Sequence, residues 1–540
     1  MSPNFSSIFR ALLNYFRSWP VLTLVAWAIL YVPRIFSLGF YYGDSWASIV
    51  AIAHGNYHTY GSLYNLLVSF SAKPVAIITH LLLILIAGDS TTFWHLLMAL
   101  VCLLGAVSLY LFIKRLDRSR AGKYGLTADL VAALWLSAPI SLGATALPNM
   151  LNALIGQVFF FLCGVKLLEL AHDQDLSFKK LAIALLLLLG SYWSYEVYYF
   201  QYLALLGIIY LYSHPRVTLK RVVILGFFTS ALQLFCIVYN RLIGYLGSYS
   251  VGSKTFNSAW RDLLNVEAIA LTFSHNLRIA LGSYFQQIFI SVCVMAGAAV
   301  IAIIVKVIIK RELKFAWDTT LAILLLVLCY LLAVTVCALA GYGMAYLGVE
   351  SRIAMAPVFL YGLVAFVLLT ASRNWKPASI VAHGAALVLL CNLGSLERKL
   401  VAHWRESWDI QRSVLEQLSS HEEALKQLTP DSIVVFIGPY YVGTAPVFQA
   451  DIALSVAVKE QYKQLQSYLG VTPYFLSVYN EHNVSLRDGV LVQATSSGSE
   501  QRRKASDVWV WNYFENNFRR MENGETFEPA KLGTFIHRVW

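Results

Sequence analysis

The feature that most restricts this chain is the recurrence of apolar runs about as long as a bilayer is thick. A helix rises about 1.5 Å per residue, so crossing the hydrocarbon core takes roughly 20 consecutive apolar residues. Such runs stand at 19–40, 91–113, 127–147, 150–170, 222–246, 283–305, 318–340, 353–371 and 378–396. A chain of 540 residues that is 58% hydrophobic and only 13% charged carries more apolar surface than one soluble core can bury. The sequence therefore predicts an α-helical polytopic membrane protein.

Two further apolar regions need separate arguments. Pro74–Gly88 is bounded by Lys73-Pro74 and Gly88-Asp89 and is too short to cross comfortably, so it reads as a helix lying at the interface. Leu181–Tyr212 is too long for one span, and its middle reads Gly190-Ser-Tyr-Trp-Ser-Tyr-Glu196. Lys179 and Lys180 precede it, and Arg216, Lys220 and Arg221 follow it. Basic loops stay on the cytoplasmic side, so this stretch must leave and return as a tight hairpin. About 11 crossings result, with the N-terminus inside. The inner loops then hold 18 Lys/Arg, and the outer ones hold Lys73, Lys254, Arg261, Arg278 and Arg352.

Charge also separates the two parts of the chain. Residues 1–396 contain 26 Lys/Arg against 13 Asp/Glu, whereas 397–540 contain 15 against 17. The excess of +11 thus lies in short loops between spans, where it orients the protein; nucleic acid is not an expected partner. The first run, Val21–Tyr31, has no small-residue cleavage site after it and reads as a retained anchor. All seven cysteines fall in apolar stretches, which indicates packing rather than disulfides or a metal site. We expect a transmembrane domain over 1–396, with an outer segment at 41–90 carrying interfacial helices. An extracytoplasmic soluble α/β domain should follow over 397–540. Its amphipathic opening (Trp408, Ile410, Val414, Leu415, Leu418) is followed by strand-like runs at Ile433–Ile437, Tyr474–Val478, Val490–Val492 and Val508–Trp511.

A few polar residues could carry chemistry. Asp44, in Tyr41-Tyr42-Gly43-Asp44-Ser45-Trp46, sits at the outer end of the first span, where a carboxylate can take a proton from a hydroxyl. It would equally serve as N-cap of a helix over Ser45–His54. Glu196 lies at hairpin depth among Tyr192, Trp193, Tyr195, Tyr198 and Tyr199. A carboxylate there marks a functional cavity or is satisfied by a tyrosine hydroxyl. Lys73 and Arg352 are either phosphate contacts or interfacial anchors, and Arg352 could instead pair with Glu350. His54, His58, His80 and His95 are too scattered for a compact metal set.

These pieces resemble the GT-C class of polytopic glycosyltransferases, which includes bacterial lipid A aminoarabinose transferases, protein O-mannosyltransferases and O-antigen glucosyltransferases. The similarity spans about 15–400 and is most specific at Asp44, at Lys73-Pro74 and at Arg352-Ile-Ala-Met-Ala-Pro357. It implies an enzyme that moves a sugar from a polyprenyl-phosphate donor to a glycan, lipid or protein acceptor at the outer face of the membrane. Such an enzyme would sit in a bacterial inner membrane, with its C-terminal domain periplasmic. By that resemblance Asp44 matches the catalytic carboxylate, Lys73 the lysine linked to donor phosphate, and Arg352 the basic residue before a late span. A second carboxylate would come from Asp89, Glu196 or Glu350, of which Glu196 is the candidate taken here, and Arg278 is a further outer cation for phosphate. Ser45 stands where many relatives have a second acid, and Pro148-Asn149 where they often have another. No cofactor is implied, and support for a divalent cation is weak. The rival readings are a flippase of lipid-linked sugars and a non-catalytic scaffold; the first would show matching broken halves, and the sequence has no internal repeat.

Overall fold

The computed structural model describes residues 19–40, 49–53, 73–116, 125–138, 145–173, 176–195, 198–213, 217–246, 284–310, 313–339, 355–373 and 375–429. It also describes most of 432–536, in shorter stretches. The chain is mostly helical, with a small region of sheet near its C-terminal end. Among the described residues the longer helices are α1 (Val21–Ile35), α2 (Pro74–Ala87), α3 (Thr91–Leu116), α4 (Gly125–Leu136), α5 (Leu151–His172) and α6 (Phe178–Ser194). They continue with α7 (Tyr202–Ser213), α8 (Leu219–Leu246), α9 (Phe285–Lys310), α10 (Leu313–Leu339), α11 (Met355–Ser372) and α12 (Lys376–Leu418). Six of them, α3, α5, α8, α9, α10 and α12, are long and apolar enough to cross a membrane among the described residues. Phe227, Leu234, Ile308, Leu324 and Ile380 stand exposed on their flanks, a pattern that suits lipid rather than water.

Side-chain contacts fix the directions of many helices. Thr23 meets Asp129 and Tyr31 meets the Leu136 carbonyl, so α1 and α4 run parallel. Trp27 reaches Ala99 while His95 reaches Gly39, so α3 runs back against α1. Arg115 pairs with Glu169, and Gly105 faces Val158, which sets α5 parallel to α3. Asn152 contacts Ser194 at one end of α5 and Asp173 contacts Lys180 at the other, so α6 returns along α5. The chain then reverses again: Tyr198 bonds to Ala153, Leu205 faces Gly164 and Arg221 reaches Ala171. Helices α6 and α7 therefore form a helical hairpin whose two feet lie at the same end of the bundle. Both feet carry basic residues, as does the α3 terminus with Lys114 and Arg115. We call this the basic end and its opposite the tip end.

Helix α2 crosses the tip end rather than running the length of the bundle. Its first residues meet the hairpin tip, and Gly88 beyond its last accepts a hydrogen bond from Trp94 near the start of α3. At the basic end, Asp129 performs an unusual service. The N-cap of α1 is Pro20, which offers no capping side chain. The Asp129 carboxylate on α4 takes that place, accepting the Leu22 and Thr23 amides at 2.8 and 2.9 Å and the Thr23 hydroxyl at 2.8 Å.

Helix α12 is unbroken over 43 residues, so the compositional change at 397 falls inside it. The amphipathic pattern of Trp408, Val414, Leu415 and Leu418 continues the helix in phase and gives the strand-bearing region a surface to pack on. Among the described residues the strands are β1 (Ile433–Ile437), β2 (Tyr441–Val442), β3 (Ala445–Pro446), β4 (Tyr474–Ser477), β5 (His482–Arg487), β6 (Val490–Thr495), β7 (Glu500–Lys504), β8 (Val508–Asn512), β9 (Asn517–Arg520), β10 (Thr526–Phe527) and β11 (Phe535–Ile536), which form three sheets of order β4-β1-β8-β9, β10-β5-β6-β7 and β11-β2-β3. Strand β1 (Ile433–Ile437) is wholly buried and pairs in parallel with β4 (Tyr474–Ser477) and β8 (Val508–Asn512), as a continuous apolar run of that length demands. Asp488-Gly489, both at positive φ, close the hairpin between β5 (His482–Arg487) and β6 (Val490–Thr495). Ser407 and Gln411 donate to the Pro446 and Val447 carbonyls, and Gln417 donates to that of Tyr513 at 3.0 Å, which fastens the sheets of β3 and β8 to α12.

Candidate functional site

Of the residues singled out by sequence, Lys73 and the aromatic residues of the hairpin middle meet at the tip end, where the hairpin turns. Helix α6 stops at Ser194, whose hydroxyl bonds back to the Gly190 carbonyl at 2.7 Å. Tyr195 then adopts an extended backbone, and Phe200 holds φ +65, a conformation that L residues other than glycine rarely take. Packing and hydrogen bonds impose it. Gln233 of α8 accepts the Phe200 amide at 2.8 Å and lies 3.4 Å from the Tyr192 hydroxyl. The Tyr198 hydroxyl donates to Ala153 at 2.9 Å, and Asn240 donates to the Tyr199 hydroxyl at 2.9 Å. Rings complete the frame, with Tyr192 edge-on to Tyr199 at 4.9 Å and Tyr198 stacked on Phe160 at 5.6 Å. The turn is thus held on three sides by α5, α8 and its own aromatic residues.

Lys73 enters this frame from α2. Pro74 at the first helical position leaves Lys73 as the residue before the helix, and its ammonium lies 4.7 Å from the centre of the Tyr195 ring. Tyr195 directly precedes Glu196 in the chain. Asp44, Glu196, Arg278 and Arg352 themselves lie outside the described residues. Asp89, an alternative second carboxylate, is exposed at the far end of α2, about 21 Å from Lys73 by the helical rise. Among the described residues no group of three or more His, Cys, Asp or Glu is arranged to hold a metal ion.

A second constellation at the tip end has no counterpart in the sequence reading. Arg34 in the last turn of α1 forms an ion pair with Glu397 of α12, with both side chains almost completely buried. Arg34 also donates to Thr145 at 3.0 Å and lies over the Tyr31 ring at 4.2 Å. Five residues later Gly39 passes so close to Trp408 that a Cβ there would fall within the indole. Gly39 O is also met by His95 at 3.2 Å. Phe40 and, beyond the stretch 41–48 that contains Asp44, Ile49 are both buried. An arginine within an apolar run was the available signal, because such a charge is expensive without a partner.

Searches of protein families, of characterised proteins and of solved structures found no match for this chain.

Proposed function

We propose that the protein is a GT-C-like membrane glycosyltransferase that moves a sugar from a polyprenyl-phosphate donor to a glycan, lipid or protein acceptor. The observation that carries this reading is Lys73 poised over Tyr195 at the hairpin tip. It puts a cation fit for a lipid phosphate at the same end of the bundle as the chain leading from α1 toward Asp44. About eleven crossings, a cytoplasmic basic end, and a tip end facing the periplasm of a bacterial inner membrane complete the proposal. In it, residues 1–396 form the transferase and 397–540 an outer domain. O-antigen-type surface polysaccharide is the favoured acceptor class.

In the reaction, the Asp44 carboxylate takes the proton of the acceptor hydroxyl. The hydroxyl oxygen bonds to the anomeric carbon as that carbon's bond to the phosphate oxygen breaks. The electron pair leaves with polyprenyl phosphate, whose charge Lys73, Arg278 and Arg352 would receive. Glu196 would orient the acceptor or the sugar. Purified protein incubated with polyprenyl-phosphate sugars and an acceptor glycan tests this directly. Transfer should be seen, and Asp44→Asn should lower its rate about 10²–10⁴-fold while leaving donor binding and melting behaviour intact, since asparagine caps a helix as well as aspartate. Near-normal turnover in Asp44→Asn would sink the assignment.

A further inference from the structure

We propose that the α8 side of the hairpin tip is a carbohydrate subsite, in which Trp193 and Asn240 bind the sugar of the lipid-linked donor; this rests on the glycosyl-transfer reading above. Trp193, in the last turn of α6, packs its ring 5.7 Å from that of Tyr239 on α8, and Asn240 follows Tyr239 in that helix. Asn240 spends its amide N–H on the Tyr199 hydroxyl. Its Oδ1 is shielded from solvent and has no hydrogen-bond partner, and the same holds for the Trp193 indole Nε1. Native interiors leave few polar groups unmade, so an unmet donor and an unmet acceptor on facing helices call for a ligand.

The chemistry of the two atoms narrows what that ligand is. Indole N–H can only donate, and an amide oxygen can only accept. A phosphate at neutral pH offers acceptors but no dependable donor for Asn240, and a polyprenyl tail offers neither. A sugar hydroxyl does both, and the C–H face of a pyranose is apolar enough to lie against the rings of Trp193 and Tyr239. Lys73, over Tyr195 two residues beyond Trp193, would hold the phosphate next to that sugar.

The test measures binding of undecaprenyl phosphate, and of undecaprenyl-phosphate hexoses and pentoses, to the full chain in detergent. Wild type should prefer at least one sugar-bearing lipid over the bare phosphate. Trp193→Phe keeps an aromatic ring and removes the N–H. It should weaken the preferred sugar-bearing lipid about three- to tenfold and leave undecaprenyl phosphate unchanged. Asn240→Ala should act in the same direction, and if it does not fold, Trp193→Phe decides alone. Lys73→Ala should weaken both lipids together. Equal effects of Trp193→Phe on the two lipids, or no effect on either, would overturn the subsite while leaving the transfer reaction standing. Failure of wild type to bind any of these lipids would instead remove the glycosyl-transfer reading itself.

Discussion

The two ends of the helical bundle use the same kind of interaction for opposite purposes. At the basic end, Arg115 and Lys166 meet Glu169, and Lys180 meets Asp173, with every partner a quarter or more exposed. At the tip end, Arg34 and Glu397 meet with 3% and 1% of their side chains exposed. Pairs at the basic end keep much of their hydration and gain little from each other. The buried pair has given up its water; each member depends on the other, and Arg34 depends also on Thr145 and Tyr31. The exposed pairs join residues no more than 54 apart in sequence, whereas the buried pair joins helices across 363 residues.

Removing one member tests the contrast most severely. Glu397→Ala should leave Arg34 buried without a counter-charge and destabilise the protein by about 3–5 kcal/mol, read as loss of folded material or a large drop in melting temperature in detergent. Arg34→Met combined with Glu397→Met should recover most of that loss, because the cost lies in the orphaned charge rather than in the absent pair. If the double variant is as unstable as the single one, the pair does more than satisfy itself.

Lys73→Ala lies at the same end but should behave differently. The residue is half-buried, so the expected loss is in donor affinity, by roughly 10- to 150-fold for a charge-assisted contact of about 1.5–3 kcal/mol. A donor titration with melting measured in parallel separates the two effects. At the basic end, Arg115→Ala should shift stability by no more than about 1 kcal/mol. A larger shift would mean that this end is held as tightly as the other.

The smallest effect is expected in the sheet region. Arg519 grips Glu525 in a two-pronged contact, and that hydrogen bonding holds the Glu525 carboxyl below the usual range. A depressed carboxyl contributes stability at pH values above its unfolded pKa of about 4.3, and that contribution fades as pH falls through the lower folded value. Glu525→Gln should therefore flatten a shallow acid-side decline in melting temperature by lowering the neutral-pH value slightly, with little change at low pH. An unchanged decline would assign it to other carboxylates.

The apolar runs announced the helices because a bilayer imposes a minimum length that composition alone reveals. The hairpin was also readable, since Gly190–Glu196 interrupts its middle and basic residues flank it on both sides. Other features were hidden for a common reason. Asp129 and Glu397 act on partners 106 and 363 residues away, and no local pattern couples such positions. The compositional break at 397 suggested a boundary, yet the periodicity of Trp408, Val414 and Leu418 carries one helix through it. Of the proposed site, Lys73 could be placed from Lys73-Pro74, while the unmet polar atoms of Trp193 and Asn240 depend on how α6 and α8 meet.

The Arg34–Glu397 pair also imposes an order on how the protein is made. Ribosomes add about 5–20 residues per second, so the 363 residues between the partners correspond to roughly 20–70 s during which Arg34 has been inserted and its counter-charge has not been synthesised. Through that interval α1 carries an unneutralised guanidinium that resists tight packing. Every nascent or truncated product that stops short of Glu397 shares this defect. Arrival of α12 removes it, so the bundle closes only after synthesis has passed Glu397, with the sheet region still to follow.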